Sequence, residues 1–153
     1  MEVKIKRLYE DAKLPTKAHA TDAGFDLYAH SITYDEDGNI VYGSGVAMEI
    51  PQQYVGLVFP RSSNAKKDLF LTNGVGVIDA GYRGEITFKF KPCASYDHYK
   101  LTWLKDADES KLYNVGERIG QIIIMPYPEI EFKEVNELSE TDRGTGGYGS
   151  SGK

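Results

Sequence analysis

Apolar and polar positions alternate along much of this chain. Phe25, Leu27 and Ala29 are spaced two apart among polar or amphipathic neighbours, and Ile86, Phe88 and Phe90 alternate with Glu85, Thr87, Lys89 and Lys91. A period of two marks strands with one face in a core. Val46 to Ile50, Tyr54 to Phe59 and Ile119 to Met125 are short apolar runs that predict more deeply buried strands. Turn-forming residues separate them: Asp37-Gly38-Asn39, Gly43-Ser44-Gly45, Asn73-Gly74 and Val115-Gly116. Eleven tyrosines and six phenylalanines add to the preference for sheet. One helical signal stands out, Ser62 to Leu69, with Ser62 or Ser63 as its N-cap.

The pattern predicts an all-β chain: a distorted jelly-roll or β-barrel subunit with one short helix over residues 1–138. Residues 93–117 are polar and irregular around Tyr96, Tyr99, Trp103 and Leu104 and read as a long hairpin excursion. Residues 139–153 are rich in Gly and Ser, with little that is apolar besides Tyr148, and are expected to form a flexible C-terminal arm.

Composition narrows the function classes. At 153 residues and 41% hydrophobic, the chain suits one domain with its own core. A formal net charge of -5 argues against stable nucleic-acid binding or attachment to an anionic membrane, while leaving room for a small phosphate pocket. Cys93 is the single cysteine, so neither an internal disulfide nor a cysteine zinc cluster is available, which suits a reducing compartment. Val3-Lys4-Ile5-Lys6-Arg7-Leu8 alternates where a secretory signal would be continuously apolar, and no stretch approaches the roughly 20 apolar residues of a membrane span. A soluble cytoplasmic protein is the expectation.

Five segments carry groups suited to chemistry. Asp79 follows the buried-looking pair Val77-Ile78 among glycines at 74, 76, 81 and 84; a carboxylate at a strand end can orient and deprotonate water, although turns also favour Asp. Pro60-Arg61-Ser62-Ser63 combines a guanidinium fork, two hydroxyls and helix-start amides, a set of donors for phosphate. Of Asp22 and Asp26, separated by Gly24, one can serve a magnesium ion, which touches few carboxylates. Arg118 and Gln121 are three apart and fall on opposite faces of a regular strand, and Gln121 places an amide inside an apolar run. The tail from Arg143 to Lys153 offers a cation, hydroxyls, glycine amides and the Tyr148 ring.

Each segment alone has an ordinary structural reading. In order and spacing, the five together resemble the motifs of the trimeric dUTP diphosphatase (dUTPase) family, from about Ala23 to Gly152. The resemblance implies a jelly-roll homotrimer with active sites shared between subunits, hydrolysing dUTP to dUMP and diphosphate with Mg2+. Carried over by motif, Asp26 holds the metal, mainly through a water. Arg61, Ser62, Ser63 and Gln121 bind phosphates. Asn73, Gly76, Val77 and Ile78 form the hairpin that receives uracil and deoxyribose. Asp79 orients the attacking water, and Tyr82 packs beneath the sugar. The arm closes over the site: Tyr148 covers the uracil, Arg143, Ser150 and Ser151 approach the phosphates, and Gly149 is among the substrate-binding residues. Tyr148 replaces the family's usual phenylalanine and Ser151 its usual threonine, and residues 93–117 are longer than the usual connection.

Two other functions fit parts of the pattern. A dCTP deaminase shares the fold but needs a base and water at the pyrimidine C4, usually through a glutamate, where this chain has Asp79 in the dUTPase pattern. A non-catalytic dUTP-binding regulator would have no need of the full set of catalytic groups.

Overall fold

The computed structural model describes residues 1–92 and 111–147. Its strands are β1 (Lys4–Arg7), β2 (Phe25–Tyr28), β3 (Ser31–Tyr34), β4 (Ile40–Gly43), β5 (Val46–Glu49), β6 (Tyr54–Phe59), β7 (Leu69–Leu71), β8 (Gly76–Ile78), β9 (Thr87–Pro92) and β10 (Arg118–Pro126). They form two four-stranded sheets, ordered β2-β10-β6-β8 and β3-β4-β9-β7, and a two-stranded ribbon of β1 and β5. Every pairing is antiparallel. Among the described residues the sheets remain open, a jelly-roll-like sandwich without barrel closure.

The core lies between the sheets. Leu27, Val58, Ile119 and Ile122 face it from one side, and Ile40, Tyr42, Leu71, Phe88 and Phe90 from the other. β9 obeys its alternation closely: Phe88 and Phe90 are buried while Thr87 and Lys89 are exposed. Tyr42 meets Phe90 and Tyr113 edge-on at 5.9 and 5.8 Å between ring centroids, a favoured aromatic geometry. Tyr113 anchors the return of the long connection: its amide donates to the Tyr42 hydroxyl at 3.2 Å and its own hydroxyl donates to Asn64 Oδ1 at 2.9 Å. Burial pushes the Tyr113 phenol up to about 12. The rest of the expected excursion, residues 93–110, lies outside the described residues.

Several details depart from the sequence reading. The helix is a 3-10 turn, Ser62–Lys66, with Arg61 rather than either serine in the N-cap position, and Leu69 already belongs to β7. Phe25 shares the core-facing side of edge strand β2 with Leu27 and stands opposite the buried Ile122, yet at the strand's start it is exposed, as is Met125 at the end of β10. Both are apolar positions whose pattern cannot reveal that no second layer covers them.

Gly120 is set by packing. A Cβ built there would enter the Phe88 ring. Gly120→Ala is therefore expected to lower stability by about 2 kcal/mol, the usual scale for overpacking. Chemical denaturation measures this, and an unchanged midpoint would show that the Phe88 ring gives way freely.

Candidate active site

The predicted residues form two groups. The first gathers on the outer face of the β2-β10-β6-β8 sheet, across its β2, β10 and β6 strands. Asp26 sits on β2 opposite Gln121 of β10, which in turn pairs with Phe59 of β6, just before Pro60-Arg61-Ser62-Ser63. Arg61 Nε donates to Asp26 Oδ1 at 2.8 Å, and Arg61 Nη1 donates to the Ser63 hydroxyl at 3.2 Å. Arg118 Nη1 donates to Asp26 Oδ2 at 3.2 Å. Gln121 Nε2 donates to the Pro60 carbonyl at 3.4 Å, and a Cβ at Gly24 would strike Gln121 Oε1. Gly24 thus clears the space that lets Gln121 lie along this face.

Asp22 plays a different part. Its carboxylate accepts from the His19 amide at 2.8 Å and closes a local turn. Asp26 is the acid of this pair that stands among the phosphate-binding candidates.

The second group surrounds a pocket of about 330 Å³ on the hairpin that follows β7. Asn73, Gly76, Val77, Ile78, Asp79 and Tyr82 line it, with Val58 and Leu71 as floor and Thr72, Glu85, Thr87 and Lys89 as further wall. Val77 is 60% exposed and Ile78 half-buried, so the pair is not the buried one its sequence suggested; β8 is a sheet edge, and the two residues line the pocket while their side chains leave opposite faces of the strand. The Tyr82 hydroxyl donates to the Glu85 carbonyl at 2.9 Å, and the Tyr82 amide donates to the Asp79 carbonyl at 3.0 Å. Together these bonds fix the turn that carries Asp79.

Sequence reasoning missed Glu85 and Lys89, and it set Arg118 on the face opposite Gln121. Glu85 accepts from the Gly45 amide at 2.6 Å and ties the pocket wall to the β4–β5 turn. Lys89 donates to Asp35 at 2.9 Å. That bond, with those from Asn39, holds the Asp35 carboxyl well below the usual carboxylate range. Lys89 and Glu85 look like ordinary polar positions of an alternating strand, so only the fold shows that they face a cavity.

Arg118 was misplaced for a different reason. The β10–β2 register shifts between Arg118 and Gly120: Gln121 faces Asp26 and Gly120 faces Leu27, yet Arg118 faces Tyr28. The extra residue, Ile119, is a bulge. It places Arg118 on the same face as Gln121 and Asp26, where a regular strand would have put them on opposite faces.

One chain does not unite the two groups. Asp26, Arg61, Ser62, Ser63 and Gln121 do not line the hairpin pocket. β2 and β8 are opposite edges of a four-stranded sheet, three strand spacings or roughly 14 Å apart. Asp79 also lies four residues along the strand from the Asp26–Gln121–Phe59 row, one step to the Val58–Gly76 pair and three from Gly76 to Asp79. That adds roughly 13 Å, for a total of about 19 Å between the two aspartates. Arg143 belongs to neither group: it bonds the Gly146 carbonyl at 3.0 Å within its own turn. Tyr148, Gly149, Ser150 and Ser151 lie outside the described residues.

Among the described residues, no three His, Cys, Asp or Glu side chains converge on a metal position. A lone carboxylate flanked by phosphate-type donors fits magnesium that keeps most of its waters and shares substrate oxygens. It does not fit a cage made by protein alone. No helix among the described residues is long and apolar enough to cross a membrane.

A jelly-roll sandwich with an acid-tipped hairpin pocket on the β8 edge and an Arg-Ser-Ser cluster reaching Asp26 on the β2 edge has the donors and the cavity that suit a phosphorylated small molecule. Comparison with known proteins makes the assignment specific. A family model described as dUTPase matches residues 10–96 and 106–152. The deoxyuridine 5'-triphosphate nucleotidohydrolase of Corynebacterium diphtheriae is 40% identical, with 98% of this chain and 92% of that protein covered. The one from Clostridium tetani is 36% identical, covering 99% and 97%. Among solved structures, the Staphylococcus bacteriophage 80alpha dUTPase with dUPNHPP superposes with a TM-score of 0.80 at 32% identity, covering 99% of both chains. A dUTPase mutant of phage phi11 of S. aureus, described with a structural Mg(II) ion, gives 0.72 at 27% identity, covering 90% of this chain and 99% of that one. The chain belongs to the dUTPase family.

Proposed function

We propose that this protein hydrolyses dUTP to dUMP and diphosphate, and that it does so as a homotrimer whose active sites are completed between copies. The reaction removes a DNA precursor that would introduce uracil and supplies dUMP for thymidylate synthesis. The observation that carries the reading is the hairpin pocket with Asp79 and Tyr82 at its edge, in a chain that belongs to the dUTPase family. Its relatives bear the name of this activity, and a related phage enzyme binds an imido analogue of dUTP.

In this reading uracil and deoxyribose enter the hairpin of Asn73, Gly76, Val77 and Ile78. Main-chain groups set for uracil leave polar atoms unpaired against cytosine, and the tight hairpin excludes the thymine methyl group. Asp79 orients a water and accepts its proton as the oxygen attacks the α-phosphorus. Arg61, Ser62, Ser63 and Gln121 bind the phosphate chain and stabilise charge on the departing diphosphate. Asp26 would hold magnesium through a water, and the ion, when bound, neutralises phosphate charge. The arm, residues 139–153 with Arg143, Tyr148, Gly149, Ser150 and Ser151, acts as a closing segment beside the domain of residues 1–138; the family match runs unbroken from residue 106 to 152, so the arm belongs to the same dUTPase pattern.

Two observations support assembly. A metal on a phosphate chain and the water attacking that chain are only a few bonds apart, so an Asp26–Asp79 separation of about 19 Å within one sheet calls for a second copy. The segment from Tyr127 to Leu138 forms no strand and presents Ile130, Phe132 (95% exposed), Val135 and Leu138 (87% exposed) to the outside, a run that another copy would cover.

A substrate panel of dUTP, UTP, dTTP, dCTP and dUDP with products identified tests the function. Selective conversion of dUTP to dUMP and diphosphate is expected. Ammonia release from dCTP would replace the reading with deamination, and no turnover by the folded protein with magnesium would leave a binding protein. Tyr82 has its own test. Removing the ring in Tyr82→Ala should cut the preference for dUTP over UTP by roughly tenfold or more, as the space beneath the sugar opens to a 2′-hydroxyl. The ratio of kcat/KM values measures it, and an unchanged ratio removes Tyr82 as the sugar gate.

A further inference from the structure

Asp26 is held at both carboxylate oxygens by guanidinium groups from different elements. Arg61, before the 3-10 turn, donates to Oδ1 at 2.8 Å, and Arg118, at the start of β10, donates to Oδ2 at 3.2 Å. The Asp26 side chain is only 14% exposed, and its backbone is fixed by paired bonds to Thr16 at 2.7 and 3.1 Å. The acid that would serve the metal is therefore oriented and already engaged by two cations.

The second engagement depends on the β10 bulge. Continued without interruption, the Gln121–Asp26 register would set Arg118 opposite the buried Ala29, on the core face. The bulge at Ile119 turns Arg118 outward, onto Asp26. Gly120, packed under Phe88, leaves little freedom for the strand to straighten. A device that places a second positive charge on one carboxylate has a consequence for any cation meant to bind there.

Resting on the dUTPase reading above, we infer that Arg118 is a positioning residue that makes metal capture at Asp26 conditional on bound nucleotide. In the nucleotide-free protein a divalent cation approaching Asp26, directly or through a water, competes with two guanidinium groups for the carboxylate and sits beside two positive charges. Charge-assisted hydrogen bonds of this kind are the strong ones, and like charges repel. A triphosphate changes both terms. Its oxygens give Arg61 and Arg118 new acceptors, and they share the cation that Asp26 then meets through water. The metal enters with its substrate and is not held by the idle enzyme.

The test uses the full-length protein and Mn2+, followed by the electron paramagnetic resonance signal of the free ion. Nucleotide-free wild type should bind Mn2+ weakly. Arg118→Gln should bind it about tenfold more tightly, given one charge-assisted bond removed at a partly exposed site. Adding Asp26→Asn to that variant should abolish the gain. Arg118→Lys keeps a positive charge and should stay near wild type, and it serves as the second variant if the glutamine protein is unstable. With dUpNHpp present, and binding to the nucleotide alone subtracted, wild type should gain far more Mn2+ affinity than Arg118→Gln. The inference is overturned if nucleotide-free Arg118→Gln binds Mn2+ no more tightly than wild type, or if the lysine variant gains as much as the glutamine variant. Wild-type turnover in the substrate panel stands apart: dUTP hydrolysis with a failed Mn2+ result discards only the role of Arg118, while absent hydrolysis discards the function.

Discussion

Asp79→Asn protein should bind dUpNHpp with nearly unchanged affinity and hydrolyse dUTP on the order of 10² to 10⁴ times more slowly, the usual contribution of a positioned general base. The substitution keeps the shape of the side chain and removes its capacity to accept a proton from water. Asp79 is suited to this test because its surroundings depend little on its charge. It is exposed at the pocket edge, and the turn beneath it is tied by main-chain and tyrosine bonds: Tyr82 amide to Asp79 carbonyl, Tyr82 hydroxyl to Glu85 carbonyl and Arg83 to the Ala80 carbonyl at 2.6 Å. None of these involves the carboxylate, so the asparagine variant should fold and retain the hairpin. Single-turnover hydrolysis and analogue binding by calorimetry separate chemistry from affinity. Near-normal turnover would remove Asp79 as the water-orienting group. Loss of binding in proportion to loss of rate would make it a substrate ligand instead.

How far the fold and the candidate site could be read from sequence depends on which physical effect governs each position. Ile86, Phe88 and Phe90 announced a half-buried strand because alternation is the direct image of a pleated backbone beside a core. Phe25 and Val77 carried the same apolar signature and ended exposed, because hydrophobicity does not reveal whether another layer lies above an edge strand. The serines were reasonable N-caps by chemistry, yet the turn begins one residue earlier: the Arg61 side chain is drawn to Asp26, and no side chain caps the turn. Spacing put Arg118 on the wrong face. One bulged residue reverses the face of everything before it, and bulges have no reliable local signature. The order of the five segments identified the family, but their meeting depends on the sheet order, which sets Asp26 and Asp79 on opposite edges.

That separation leads to the second large effect. Asp26→Ala and Asp79→Asn proteins should each be nearly inactive alone, whereas the two unfolded together and refolded as a mixture should regain activity. If every site drew both aspartates from one copy, each site in the mixture would still carry one lesion, and mixing would restore nothing. If Asp26 comes from one copy and Asp79 from its neighbour, a working site needs an Asp79→Asn copy at the first position and an Asp26→Ala copy at the second. Equal mixing then repairs roughly a quarter of the sites in a symmetric homo-oligomer. Against parents depressed a hundredfold or more, recovery to about a quarter of wild-type activity is a large and unambiguous signal. Dilution below the assembly concentration should abolish it, since a repaired site exists only between copies. Absence of recovery, with mixed oligomers demonstrated by differently tagged chains, would place both aspartates in one copy's site. It would then require the β2 and β8 edges of the sheet to approach each other far more closely than three strand spacings allow.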